Sequence, residues 1–190
     1  DTEAVVSTIV SDNYDAGGQC AKDMMKKKTS ANIIIVNQKA LNSINERVKG
    51  FRDTIKGHPQ YKIVEEKESA AEFEIAMKVM EKIIYEKKNY DVVMGGNDPI
   101  ALGCIAAMQM TDKTDQVMVY GVDGSPDGKA MIKAGFLEGT AAQSPIKIGE
   151  KAVQTAYSYL AGETVKKHVT IPVELITADN LKFYDMTGWQ

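Results

Sequence analysis

Cysteine, histidine and tryptophan are scarce in this 190-residue sequence, at two, two and one. Cys20 and Cys104 cannot make a disulfide framework; one bridge or two free thiols are both open. Neither sits in a C-x-x-C pair. Both fall in stretches read as helix, where a small buried apolar role is the ordinary one. His58, in a Gly-His-Pro turn, and His168, in a charged loop, read as solvated loop residues, and no G-x-S-x-G elbow exists to support nucleophilic catalysis. A basic excess is also missing. With 23 Lys+Arg against 26 Asp+Glu the net charge is −3, which leaves no surplus to neutralise a run of phosphates and argues against nucleic acid. The longest apolar runs, such as Ile33–Val36, are strand-sized and far below the ~18–20 residues of a membrane span. Gly95-Gly96-Asn97-Asp98 lacks both the G-x-G-x-x-G spacing and the Lys-Ser/Thr of a phosphate loop. The chain starts at Asp1 without a signal peptide, and a processed, trimmed or excised start is expected.

What is present is an ordinary globular composition, 44% apolar and 26% charged, enough for one domain or slightly more. Short β-branched runs alternate with helical stretches. The strand candidates are Ala4–Val10, Asn32–Asn37, Tyr61–Glu66, Asp91–Gly95, Gln116–Val122, Gly139–Ala142 and Val169–Ile176. Near-continuous apolar runs of this kind suit strands buried on both faces of a parallel sheet. Helices are expected at about 15–28, 44–56, 70–88, 98–110, 126–134 and 145–161. In the third, Phe73, Ala76, Met77, Met80 and Ile84 share one face. The alternation implies right-handed crossovers and a doubly wound α/β fold, with helices on both faces of a parallel sheet. The ten methionines read as core filler.

Helix starts carry the local signals. Ser43–Glu46 and Ser69–Glu72 both read as S-x-x-E capping boxes, and Asp98-Pro99, Ser125-Pro126 and Ser144-Pro145 as a cap before a proline. In an open α/β sheet the strand-to-helix loops line the crevice at the carboxyl edge, where ligands bind. Asn97, Asp123 and Arg47 lie at or inside such starts and are expected to converge there. Asp123–Gly128 is a near miss for a calcium loop, because Ala134 stands where a bidentate glutamate is needed; Asp127 instead suits the dipole of a first helical turn. Arg47, Asn97, Asp123 and Gln143 each admit a bland reading as solvated, capping, turn-forming or loop-bonding residues. Together, a guanidinium, a carboxylate and two carboxamides at strand ends describe a polyol site. Sugar hydroxyls both donate and accept, and these groups supply both kinds of partner in planar geometry.

Five motifs, in order from about residue 11 to 150, resemble the ribose-type periplasmic binding proteins. Ser11-Asp12-Asn13-Tyr14-Asp15-Ala16-Gly17-Gly18 is similar to their "SDN…GG" segment and Arg47-Val48-Lys49-Gly50-Phe51 to their "R-x-x-G-F". Asn97-Asp98-Pro99-Ile100-Ala101-Leu102-Gly103 resembles "N-D-x-x-A-L-G". Asp123–Gly128 resembles "D-G-x-P-D-G", and Thr140–Pro145 resembles "T-x-x-Q-x-P". The resemblance implies the non-catalytic substrate-binding component of a sugar ABC importer, in which two α/β lobes close by a hinge on one monosaccharide. It implies sugar hydrogen bonds from Arg47, Asn97, Asp123 and Gln143, with Ser43 lining the pocket. No cofactor and no metal are implied. The implied partners are a pentose or similar monosaccharide and a membrane permease. The implied location is periplasmic or extracellular, where a lipoprotein tether also occurs.

The family carries a whole N-terminal lobe upstream of the "SDN" segment, so the resemblance also implies a C-terminal-lobe piece. Residues 1–12 would then be a strand and hinge of the absent lobe and 13–143 the sugar-binding lobe. A helix and strand that pack on the absent lobe would occupy 144–176, and a tail 177–190. Elements left without that lobe are expected to self-associate or be poorly ordered. Two alternatives share the fold: the effector domain of a lac-repressor-type transcription factor and the sensing domain of a membrane receptor. The sugar itself stays open among pentoses, aldohexoses, inositols and furanosyl compounds.

Overall fold

A computed structural model of the chain describes residues 4–111 and 117–189. Its main sheet has six strands. In chain order they are β2 (Ala31–Asn37), β3 (Tyr61–Glu68), β4 (Val92–Gly95), β5 (Met118–Asp123), β6 (Gly139–Ala142) and β8 (Glu174–Thr177). The spatial order is β3-β2-β4-β5-β6-β8, with parallel pairing except for antiparallel β8 at the edge. Ile33, Ile34, Ile35, Val36, Val92, Val93 and Met94 are wholly buried. That continuous burial matches their unbroken apolar sequence, as expected for strands covered on both faces. The strand order reverses between β2 and β4, which creates a switch point at the carboxyl edge.

A second sheet of two parallel strands pairs β1 (Thr8–Ser11) with β7 (His168–Ile171). Here several expected boundaries need correcting. The run Val169–Ile176, read as one strand, is two strands in different sheets, because Pro172 offers no N–H to a ladder and ends β7. The segment 144–176 is therefore not one unit beside the small sheet: β8 belongs to the main sheet, and the chain crosses at Pro172-Val173 rather than near Ile176. The strand expected over Ala4–Val10 begins only at Thr8, and Gln116 lies outside the described residues.

The chain thus passes between the sheets three times, at Ser11-Asp12, Gln143-Ser144 and Pro172-Val173, and the crossings are fastened to one another. Asp12 N–H donates to Ile171 O at 2.9 Å, and Ser11 Oγ donates to Gln143 Oε1 at 2.8 Å. Gln19 holds the third crossing from the side, donating to Val173 O at 2.9 Å and accepting from Leu175 N–H at 2.8 Å.

Helices α1 (Asn13–Lys27) and α2 (Asn42–Ile55) pack together, as do α3 (Phe73–Tyr85) and α4 (Asp98–Gln109), giving the main sheet its two helical layers; α5 (Pro126–Lys133) packs beside α4. The α1–α2 contact is backbone on backbone. A Cβ on Gly17 would stand 1.7 Å from Arg47 O, and one on Gly50 would stand 1.9 Å from Tyr14 O. These two glycines set the approach that brings the first turn of α1 against Arg47. By contrast α6 (Pro145–Leu160) buries none of its residues; Ile146, Val153, Tyr157, Tyr159 and Leu160 are all exposed, although the helix packs on β1. Cys20 and Cys104 are buried free thiols.

Several helix starts differ from their sequence reading. α2 begins after Leu41 and α3 after Glu72, neither with a side-chain cap, so the Ser43 and Ser69 boxes do not form. Ser69 is instead drawn to the end of β2, where its N–H donates to Asn37 O at 2.7 Å. Asn97, not Asp98, caps α4, accepting from Ile100 N–H at 3.0 Å. Ser125 caps α5 as expected, through Gly128 N–H at 3.0 Å. Ser144 precedes α6, but its buried hydroxyl has no partner among the described residues.

Candidate functional site

Strand ends and helix starts bring five residues into a closed polar ring at the carboxyl edge of the main sheet. Gln143, just beyond β6, donates from Nε2 to Asp123 Oδ1 at 2.7 Å. The same carboxylate oxygen lies 3.5 Å from Arg47 Nη1. Arg47 Nε donates to Asn13 Oδ1 at 2.9 Å, Asn13 Nδ2 donates to Ser11 O at 3.1 Å, and Ser11 Oγ returns to Gln143 Oε1. Arg47 reaches inward from α2 and is only 4% exposed. Its Nη1 also donates to Gly96 O at 2.9 Å, which ties the guanidinium to the β4–α4 loop.

Of the predicted site residues, Arg47, Asp123 and Gln143 therefore meet directly. Asn97 stands beside them, next to Gly96, with its Oδ1 spent on the α4 cap and its Nδ2 3.4 Å from Ala71 O. Ser43 lies one turn before Arg47 on α2, half-buried, and makes no side-chain hydrogen bond among the described residues. Ser11 and Asn13 were not singled out from the sequence as site residues, although both lie in the "SDN" segment. Asp98, read from the sequence as a cap before Pro99, is fully buried, accepting from Thr140 and Ser125. A sequence signal existed for neither its burial nor its partners, which come from β6 and the β5–α5 loop.

The charges in this ring are short of solvation. Burial, reinforced by the neighbouring Asp98 charge, pushes the Asp123 carboxyl up to about 6, against the pull of Arg47 and Gln143. Burial likewise lowers Arg47 despite Asp123 and Asp98 nearby. Both members of the pair move toward neutrality, so desolvation outweighs their mutual attraction, as a 3.5 Å separation with no second bond allows. Asp123 also has φ +149°, sparsely populated by non-glycine residues and worth about 1–3 kcal/mol of strain. A strained backbone and under-solvated charges with planar donor and acceptor groups make a site suited to a neutral polyhydroxylated ligand. Among the described residues no group of three or more His, Cys, Asp or Glu is arranged to hold a metal ion.

Comparison with known proteins agrees with this architecture. A periplasmic binding protein domain model matches residues 1–164, and the chain belongs to that family. It is 32% identical over 175 residues to the ribose import binding protein RbsB of Salmonella typhimurium, covering 90% of this chain and 58% of that protein. It is 32% identical over 190 residues to the D-apiose import binding protein of Paraburkholderia graminis, covering 97% and 60%. An ABC transporter solute-binding protein of Bacillus halodurans solved with bound myo-inositol superposes with TM-score 0.86 at 25% identity, covering 96% of this chain and 64% of that one. The chain thus spans 58–60% of the length of these curated relatives.

Proposed function

We propose that the chain supplies one sugar-binding lobe of a monosaccharide-binding protein serving an ABC importer, acting by binding rather than catalysis. The observation that carries this reading is the junction of Arg47, Asp123 and Gln143 at the sheet's carboxyl edge in a member of the periplasmic binding protein family. Relatives named for ribose, D-apiose and D-allose import or binding support a small neutral sugar. Residues 13–143 together with β8 form the lobe that presents the site. On ligand entry Arg47, Asp123 and Gln143 exchange bonds within the ring for bonds to hydroxyls, with Asn97 adding a carboxamide. Ser43 lines the same pocket. A hinge at the three crossings closes the lobe on the sugar. The same relatives support a permease partner and a periplasmic location, and the bare apolar side of α6 supports self-association.

The repressor and receptor alternatives rest on fold alone. The fructose-binding domain of a hybrid two-component system superposes with TM-score 0.87 but at 22% identity. The test is calorimetric titration of the full-length gene product with ribose, D-apiose, D-allose and myo-inositol. Saturable binding of at least one, weakened about ten- to a hundred-fold by Asp123→Ala, is expected from the loss of one buried hydrogen-bonding partner. Binding of none, or an unchanged affinity in the variant, overturns the reading.

A further inference from the structure

Asp98 is wholly buried at the first turn of α4, and its carboxylate accepts from three donors. Thr140 Oγ donates to Oδ1 at 2.6 Å, while Ser125 N–H and Oγ donate to Oδ2 at 2.9 and 2.7 Å. Two glycines keep space for it: a Cβ on Gly121 would stand 2.4 Å from Oδ1, and one on Gly128 would stand 2.5 Å from Oδ2. The partners relay the contact onward. Thr140 Oγ accepts from Gly124 N–H at 3.0 Å, and Asp98's own N–H approaches Asp123 Oδ2 at 3.4 Å. Asn97 is adjacent in sequence, Ser125 follows Asp123 by two residues, and Thr140 precedes Gln143 by three. One carboxylate thus grips β6, the β5–α5 loop and the start of α4, the segments that carry or adjoin Gln143, Asp123 and Asn97.

We propose that Asp98 is the positioning residue of the sugar site, holding β6 and the β5–α5 loop so that Asp123 and Gln143 present their polar atoms to the ligand. This rests on the sugar-binding reading above. A burial so complete, cleared by two glycines and satisfied by three donors, is a built feature. Its location behind the site, rather than elsewhere in the core, connects it to ligand geometry. The charge acts as well. In its charged form Asp98 raises the Asp123 carboxyl, while burial raises Asp98 itself against the pull of Thr140, Ser125 and Arg47; among the described residues the Cys20 thiol from α1 and Lys129 from α5 are further titratable groups near Asp98.

The experiment is the sugar dissociation constant of the full-length gene product between pH 5 and 8, for the wild type and for Asp98→Asn, which keeps the shape and removes the charge. The wild type is expected to lose affinity as pH falls through about 6, where Asp123 takes up a proton. In Asp98→Asn the constant at pH 7.5 rises at least tenfold, and the acid fall-off moves to lower pH because the like charge is gone. A lowered melting temperature with an unchanged constant and an unchanged pH profile means that Asp98 only stabilises the fold, and overturns the proposal. Should Asp98→Asn not fold, Thr140→Val removes a single donor, and a several-fold weaker affinity is expected; an unchanged affinity overturns the proposal. A wild type that binds none of the sugars overturns the sugar reading, and this inference with it.

Discussion

Gln143 and Arg47 compete for one oxygen of Asp123. The carboxamide holds Oδ1 at 2.7 Å, which leaves the guanidinium 3.5 Å away, while Oδ2 has only the long contact to Asp98 N–H among the described residues. Asp123 therefore keeps accepting capacity that the protein does not fill, and Arg47 is incompletely satisfied. A hydroxyl group that donates to the carboxylate and accepts from the guanidinium would complete both.

Stability should depend on pH through Asp123. Its folded carboxyl titrates near 6, against an ordinary 3.8. The folded state therefore holds more protons between those values, and the group's stabilising contribution is complete below about pH 3.8 and lost as pH rises through 6. That loss is on the order of 3 kcal/mol at most. Urea unfolding of the wild type and Asp123→Asn from pH 4 to 8 should show the variant gaining on the wild type as pH rises. Parallel pH curves would refute it.

Removing the guanidinium leaves a buried carboxylate without its counter-charge. Arg47→Met is expected to cost about 3–5 kcal/mol at neutral pH and to abolish measurable sugar binding. Denaturant melts and calorimetry on the same sample test the two effects. A variant as stable as the wild type would show that Arg47 is not the keystone of the polar ring.

The α1–α2 contact makes a sharp comparison among glycines. Gly17→Ala should destabilise by about 1–3 kcal/mol or more through overpacking against Arg47 O. Gly149→Ala, in exposed α6 with no atom within 4 Å of the added methyl, should stabilise by up to about 1 kcal/mol through helix propensity. Thermal melts of the two variants should move in opposite directions.

Burial raises both thiols, that of Cys104 to about 12. A thiol reagent at pH 8 should leave the native chain unlabelled and modify two thiols in denaturant. Rapid native labelling would place one of them at the surface.

Much of the fold was legible because the strands of the main sheet are marked by their own apolar runs. Ile33–Val36 and Val92–Met94 require no partner to identify them. What went astray were local signals overruled by tertiary ones. Ser69 resembles a helix cap, yet the end of β2 offers its N–H a backbone acceptor, and Glu72 precedes the helix instead. Asp98 sits where caps occur, but Gly121 and Gly128 admit it to the interior and Asn97 takes the cap. Pro172 was a readable break that the apolar residues on either side concealed. Arg47, Asp123 and Gln143 were legible as chemistry, whereas Ser11 and Asn13 enter the ring only because Gly17 and Gly50 let α1 and α2 touch, a contact without a one-dimensional signature.

Three stitched crossings also have a mechanical consequence. A single tether would let the small sheet swivel, slide or tumble against the large one, and two would leave a loose strap. With Ser11 bonded to Gln143 and Asp12 to Ile171 across the three spans, shear along the seam breaks bonds, while bending about it preserves them. On the hinge proposed above, the molecule would fold along one line, and Gln143 lies on that line, where the proposed ligand contact and flexure would share a residue.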